Sequence, residues 1–353
     1  MELRDLLLIA INRGASDLHL TNTMPPVLRI DGELVPMMDY PALDQDQLKK
    51  MIYGAITDSQ KIQFEEEKEL DLSLALVGLD RFRVNVHLQR NSVEAAFRRI
   101  PLFIPTVEDL TLPPVVSTLA RKMNGLVLVT GPTGMGKSTT LAAMVQLVNT
   151  ERRLMIMSIE DPIEFLHTNK KSIIKQREVY RDTHSFAEAL KRCLRQDPDV
   201  IVVGEMRDLE TISTVLTAAE TGHLVLATLH TPDAPQTIER IIDVFPPHQQ
   251  EQVRQQLANS LQGVISQRLL PHASGKGRVL ATETMVATPA IRNMIREQAI
   301  EQLTTAIQTG YQFGMKTMDR SLKELCEAGL ITYDVALTHA KNPEELKQFL
   351  RKK

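Results

Sequence analysis

The chain has 353 residues, 43% hydrophobic and 24% charged, the balance of a globular protein and not of a disordered one. A net charge of −3 and an aromatic content of 4%, with no tryptophan, argue against a polyphosphate-binding field and against stacking platforms for single-stranded nucleic acid. Two cysteines, Cys193 and Cys326, are too few for a disulfide framework or a four-cysteine zinc site and read as thiols in a reducing compartment.

At ~150 residues per domain the length points to two or three domains. The early apolar run, residues 6–11, is far shorter than the ~20 residues of a membrane span. Glu2 and Asp5 stand where a secretory signal carries basic residues. A cytoplasmic chain with no membrane span is therefore expected.

Residues 1–100 read as a small α/β domain. Leu3, Leu6, Leu7 and Ala10 repeat at helical spacing, and Leu18-His19-Leu20 alternates. Asp31-Gly32, between apolar runs at 27–30 and 33–35, predicts a two-residue hairpin. One charged helix is predicted over 45–67, followed by strands near 70–76, 81–88 and 93–100. Pro101, Pro105, Pro113 and Pro114 mark 101–114 as a stiff linker. Over 115–270, continuous apolar runs at 126–130, 154–159, 200–203 and 224–229 alternate with helix-length segments. Strands buried on both faces with helical crossovers make a parallel α/β sheet. After Gln267 the pattern turns mainly helical, so 271–353 is expected as a helical C-terminal region.

Gly131-Pro132-Thr133-Gly134-Met135-Gly136-Lys137-Ser138 fits the pattern G-x-x-x-x-G-K-[ST] in full, between an apolar strand and a helical segment that opens with Thr139. Glycines let backbone N–H groups curl around a phosphate, and the helix start adds its dipole. Lys137 then reaches the β- and γ-phosphates of ATP, and Ser138 ligates Mg²⁺.

Chemistry in parallel sheets gathers beyond the carboxyl ends of the strands. The run 154–159 delivers Glu160 there, and the run 200–203 delivers Glu205. Glu205 stands in the place of the carboxylate that holds Mg²⁺, and Glu160 is the candidate to orient and deprotonate the attacking water. His223 and His230 bracket the run 224–229 and cannot share one metal. His230, at its carboxyl end, is placed to feel a γ-phosphate. Arg81 and Arg83 share one face of a strand, with Arg90, Arg98 and Arg99 nearby. That face is either a solvated basic surface or a donor of guanidinium groups to a neighbouring subunit's phosphates.

Taken together, these residues resemble the type II secretion and type IV pilus ATPase superfamily, in its PilT-like pilus-retraction branch, over nearly the whole chain. The resemblance rests on residues 14–20, the strand Arg81-Phe82-Arg83-Val84-Asn85, the phosphate loop and Ile159-Glu160-Asp161-Pro162-Ile163-Glu164. It continues through Gly204-Glu205-Met206-Arg207-Asp208 and the segment from Thr221-Gly222-His223 to His230-Thr231. The lack of a four-cysteine zinc site separates the chain from the assembly ATPases. Ala290-Ile291-Arg292-Asn293-Met294-Ile295-Arg296-Glu297 nearly reproduces the retraction branch's AIRNLIRE motif, departing only at Met294. As a helix it carries an apolar stripe, with Arg292 and Arg296 together on another, exposed face.

The resemblance implies a PAS-like N-terminal domain joined to a RecA-like ATPase domain in a hexameric ring, with Arg81 and Arg83 completing a neighbour's site. It implies an ATP-hydrolysing motor for pilus retraction, working in the cytoplasm at the inner-membrane base of the pilus machine against a platform protein. An accessory PilU-like retraction ATPase is the alternative within the superfamily, and a RecA-like nucleic-acid motor is the alternative outside it.

Overall fold

Residues 2–75, 80–100 and 103–351 are described by a computed structural model. Leu76 and Pro101, expected at a strand end and at the head of the linker, lie outside them, as do Lys352 and Lys353. The chain divides into two compact units, Met1–Phe103 and Ile104–Lys353.

The first unit is built on β1 (Asp17–Leu20), β2 (Val27–Ile30), β3 (Glu33–Pro36), β4 (Glu69–Ala75), β5 (Arg81–Gln89) and β6 (Ser92–Ile100). They form one sheet in the order β3-β2-β1-β6-β5-β4, antiparallel throughout. Ile30 pairs with Glu33 across Asp31-Gly32, the expected hairpin, with positive φ at both turn residues. The helix Leu3–Asn12 buries Leu3, Leu6, Leu7 and Ala10. These side chains join Leu18, Leu28, Phe64, Phe82, Val84, Val86 and Phe97 in one core.

The single helix expected over 45–67 is two helices, Gln45–Tyr53 and Asp58–Glu67. Gly54 closes the first. Thr57 opens the second with a capping box, its hydroxyl accepting from the Gln60 N–H and its own N–H donating to the Gln60 side chain. Such a box fixes a helix start and so breaks the charged run in two.

The second unit holds β7 (Gly125–Thr130), β8 (Met155–Glu160), β9 (Ile173–Glu178), β10 (Val200–Val203), β11 (Leu224–Leu229), β12 (Leu261–Pro271) and β13 (Arg278–Val286). The sheet order is β13-β12-β7-β11-β10-β8-β9, with β13 antiparallel to β12 and every other pair parallel. The central strands are buried on both faces. Leu126 and Leu128 of β7 enter one core and Val127 and Val129 the other. β9 and β13 lie at the two edges. β9 is largely exposed or half-buried, and β13 buries the polar Thr282, Glu283 and Thr284, so neither shows as an apolar run. A strand thus precedes the C-terminal helices, which begin at Pro289–Arg296. Among the described residues no helix is long and apolar enough to cross a membrane.

Candidate functional site: a nucleotide pocket at the strand ends

β7 ends at Thr130, and the helix Lys137–Glu151 begins beyond a turn over 131–136. A Cβ at Gly131, where φ is +143°, would lie 2.5 Å from the Gln267 carbonyl oxygen on β12, so only glycine lets the loop press against that strand. The same strand backs the loop elsewhere. Thr130 Oγ1 donates to Ser266 Oγ (2.9 Å), Gln267 Nε2 donates to Thr140 Oγ1 (2.6 Å), and the Leu269 N–H approaches Met135 Sδ (3.2 Å). Thr140 and Gln267 are buried, and neither was singled out in the sequence, where no motif marks them.

Lys137 is 7% exposed, and its Nζ donates to the Gly131 and Pro132 carbonyls at 2.8 and 3.0 Å. Burial pulls its pKa down, while the negative fields of Glu205 and Glu164 act the other way. A buried ammonium resting on neutral carbonyls still lacks a compensating anion, and a phosphate supplies one. The space around Gly134 and Gly136 is open, so the cradle has room for it. For Mg²⁺, the Ser138 hydroxyl at the helix start and the Glu205 carboxylate are hard oxygen donors. That suits an ion whose other ligands are phosphate oxygens and water.

From the loop a chain of contacts runs along the strand ends. Thr133 Oγ1 meets His230 Nδ1 at 3.2 Å, and His230 Nε2 meets Glu205 Oε1 at 3.2 Å. Glu205 Oε2 accepts from Arg207 at 2.7 Å, and Arg207 reaches Asp161 at 4.0 Å. Burial works against the Glu205 anion, but Arg207 and His230 outweigh it and bring its pKa below the ordinary range. The structure thus brings Glu205 and His230 to the phosphate loop. It adds Arg207, visible in the sequence only as part of a quoted motif.

Glu160 is placed differently. β8 is three strands from β7 in the sheet, ~14 Å at ~4.8 Å per strand. Glu160 is partly buried, and Oε1 accepts from Ser158 Oγ and from Gln176 Nε2 (3.0 Å). Desolvation raises its pKa, against these two donors and the Glu164 N–H, and the negative charge of Glu164 adds to the rise. Glu164 itself is exposed, and its field reaches both Glu160 and Lys137.

His223 lies at the opposite end of β11, where Nδ1 contacts the Ala218 carbonyl oxygen at 3.0 Å. In the first unit Arg81 and Arg83 share a face of β5, as expected from their spacing. Arg81 is not a solvated surface residue: it is 8% exposed, and its Nε donates to Ser73 Oγ. Arg98 pairs with Asp17 (2.8 Å) and Arg99 with Asp80. The helix Pro289–Arg296 buries Ile291 and Ile295, but its arginine face is not the open surface expected. Arg292 donates to the Ala258, Asn259 and Ala287 carbonyls, and Arg296 donates to Asn259 Oδ1 at 2.9 Å. Two guanidinium groups therefore clasp the carboxyl end of the helix Pro247–Ser260, where unpaired carbonyls attract cations.

The sequence profile of type II/IV secretion system proteins matches residues 110–336. The chain belongs to that family. Among its relatives, the type IV pilus retraction ATPase PilT of Pseudomonas aeruginosa is 50% identical over 98% of this chain and 99% of its own. The twitching motility protein of Neisseria gonorrhoeae is 46% identical over 91% of this chain and 86% of its own. A crystal structure of the pilus retraction motor PilT with bound ADP superposes with a TM-score of 0.91, at 48% identity and 99% coverage of both chains. The mixed α/β architecture of this secretion-ATPase family member is thus that of a known nucleotide-binding fold, and the family membership makes it a P-loop ATPase.

Proposed function

We propose that this ATPase powers retraction of a type IV pilus. The observation that carries the reading is the buried Lys137 ammonium, held on the phosphate loop's own carbonyls within the fields of Glu205 and Glu164. Near full-length similarity to retraction ATPases supplies the biological setting. The type IV pilus ATPase PilU of Pseudomonas aeruginosa is 40% identical over 99% of this chain, lower than the retraction ATPase.

In this reading Lys137 and the loop N–H groups bind the β- and γ-phosphates, and Gly131 to Thr139 form the cradle. Ser138 and Glu205 hold Mg²⁺, which when bound neutralises phosphate charge. Water attacks the γ-phosphorus, the bond to the β–γ bridging oxygen breaks, and ADP departs while the water proton passes to a carboxylate. Glu160 is the acceptor suggested by the sequence. Its bonded, partly buried carboxyl, against an exposed Glu164 whose field reaches Lys137, favours Glu164 for that role, with Glu160 behind it. His230 links Thr133 to Glu205 and so responds to what occupies the loop. Arg81 and Arg83 complete the site of a neighbour in a hexameric ring, at the inner-membrane base of the pilus machine, against its platform protein.

Steady-state phosphate release by the purified chain tests the chemistry, and complementation of a retraction-deficient strain tests the work. Restored twitching in a strain lacking the main motor supports a retraction motor. Restoration only where that motor is already present means an accessory ATPase, and hydrolysis stimulated by DNA means a nucleic-acid motor. Mixing Arg81→Ala/Arg83→Ala subunits with Lys137→Ala subunits tests the arginines, since recovered activity requires donation across a boundary.

A further inference from the structure

Gln176 lies on edge strand β9 and belongs to no nucleotide motif, yet three hydrogen bonds of its amide lead to one place. Its Nε2 donates to Glu160 Oε1 (3.0 Å) and to the Phe165 carbonyl (2.7 Å), and its Oε1 accepts from the His167 N–H (2.9 Å). The amide thus spans the segment 163–168 and ties it to the carboxyl end of β8. Ser158, buried and paired in register with Gln176, donates to the same Glu160 oxygen. The Glu164 backbone N–H also favours the ionised form of Glu160. Glu178, at the end of the same strand, accepts from the Ile163 N–H (3.1 Å), so the segment is held from its near end as well.

We infer that Gln176 is a positioning residue for hydrolysis, acting through Glu160 and the 163–168 segment to hold the Glu164 carboxylate facing the γ-phosphate. The inference rests on the assignment of Glu164 as proton acceptor. A free segment of this kind would let Glu164 wander in solvent, because its side chain is exposed. A displacement of ~1 Å at a reacting group can cost ~10²-fold in rate. The brace is separate from nucleotide binding, since Thr130, Met135 and Thr140 of the loop and its flanks are held by β12 from the other side.

The test compares Gln176→Leu, Gln176→Glu and Ser158→Ala with the parent full-length chain. It uses fluorescent ADP for affinity, phosphate release for kcat and KM, and thermal unfolding for stability. Gln176→Glu keeps an acceptor for the His167 N–H and nearly the same volume but loses both donor bonds, to Glu160 and to the Phe165 carbonyl. It also sets a carboxylate against Glu160, so it tests the donors apart from simple loss of packing. The expected result is a kcat ~10–100-fold lower in both Gln176 variants, with ADP affinity and KM within about threefold. Ser158→Ala, which leaves the segment tied by Gln176, should lose less than about tenfold. Unchanged kcat in Gln176→Glu, or a loss matched by equal loss of ADP affinity, would overturn the inference. Glu164→Gln in the same assay separates the two readings. If it turns over normally, the acceptor assignment fails. If it is inactive while both Gln176 variants are normal, only the brace fails.

Discussion

The turn after β10 and the last residue of β8 each place a glutamate at the carboxyl ends of the strands in the same sheet, and the two side chains meet opposite fates. Glu205 is flanked by Arg207 and His230 and is held ionised. Glu160 is bonded to neutral donors, partly buried, and pushed toward its protonated form. Position at a strand end therefore does not assign a role. The charges around the carboxyl, and the number of strands between it and the phosphate loop, decide what it can do.

The largest expected effect removes Lys137, the cation that feels both Glu205 and Glu164. Lys137→Ala should abolish measurable phosphate release, a loss of ~10³-fold or more, since preorganised charge at a developing transition state is worth at least ~10²–10³ per group. Appreciable turnover in that variant would place the site elsewhere. Next comes Glu205→Ala, which should weaken Mg²⁺-dependent ATP binding and slow turnover by ~10²-fold or more, because Arg207 and His230 are left without their carboxylate. Titrating Mg²⁺ against bound nucleotide checks it, and an unchanged Mg²⁺ dependence would remove Glu205 from the metal.

A smaller effect concerns His167, in the segment between β8 and β9. Burial lowers its pKa from 6.5 to about 4. The neutral ring is favoured in the fold, so its full contribution to stability is present above pH 6.5. It is lost as pH falls from there toward 4, by up to ~3 kcal/mol. Denaturant unfolding at pH 7.5 and pH 5 should show a gap that narrows in His167→Phe. An unchanged gap would mean that other groups govern acid sensitivity.

The smallest expected effect on hydrolysis lies far along the chain. Arg292→Ala with Arg296→Ala releases the end of the helix Pro247–Ser260 and should cost ~1–2 kcal/mol, more than removal of exposed charges. Turnover should stay within a few-fold while cells remain piliated and unable to twitch. Normal retraction would reduce the clasp to packing.

Much of this was legible because the residues in question carry their own reason. The run 126–130 followed by Gly131 to Ser138 announces a strand, a phosphate loop and a helix at once, and the strands at 200–203 and 224–229 are apolar because both faces are covered. β9 and β13 were not legible, because β9 is largely exposed or half-buried and β13 buries polar residues, Thr282, Glu283 and Thr284, in place of an apolar run. Gly54 and Thr57 carried the break between two helices, but the charged pattern around them concealed it. At the site, Glu160 and Glu164 stand four residues apart in one motif, and spacing alone favoured the one nearer the strand. The choice turns on burial and bonding, which tie up Glu160 while Glu164 stays exposed with its field on Lys137, and on Gln176, a residue with no pattern of its own.

The most direct test of this account is the turnover of preformed enzyme·ATP complexes of Glu164→Gln and Glu160→Gln, followed by rapid quench with nucleotide affinity measured alongside. The account predicts that both bind ATP as the parent does. Glu164→Gln should hydrolyse ~10²–10⁴-fold more slowly, the span of a general base, and Glu160→Gln should lose no more than about tenfold, since a glutamine still accepts from Ser158. The reverse order, with Glu160→Gln inert and Glu164→Gln active, would contradict it and return the proton acceptor to the end of β8.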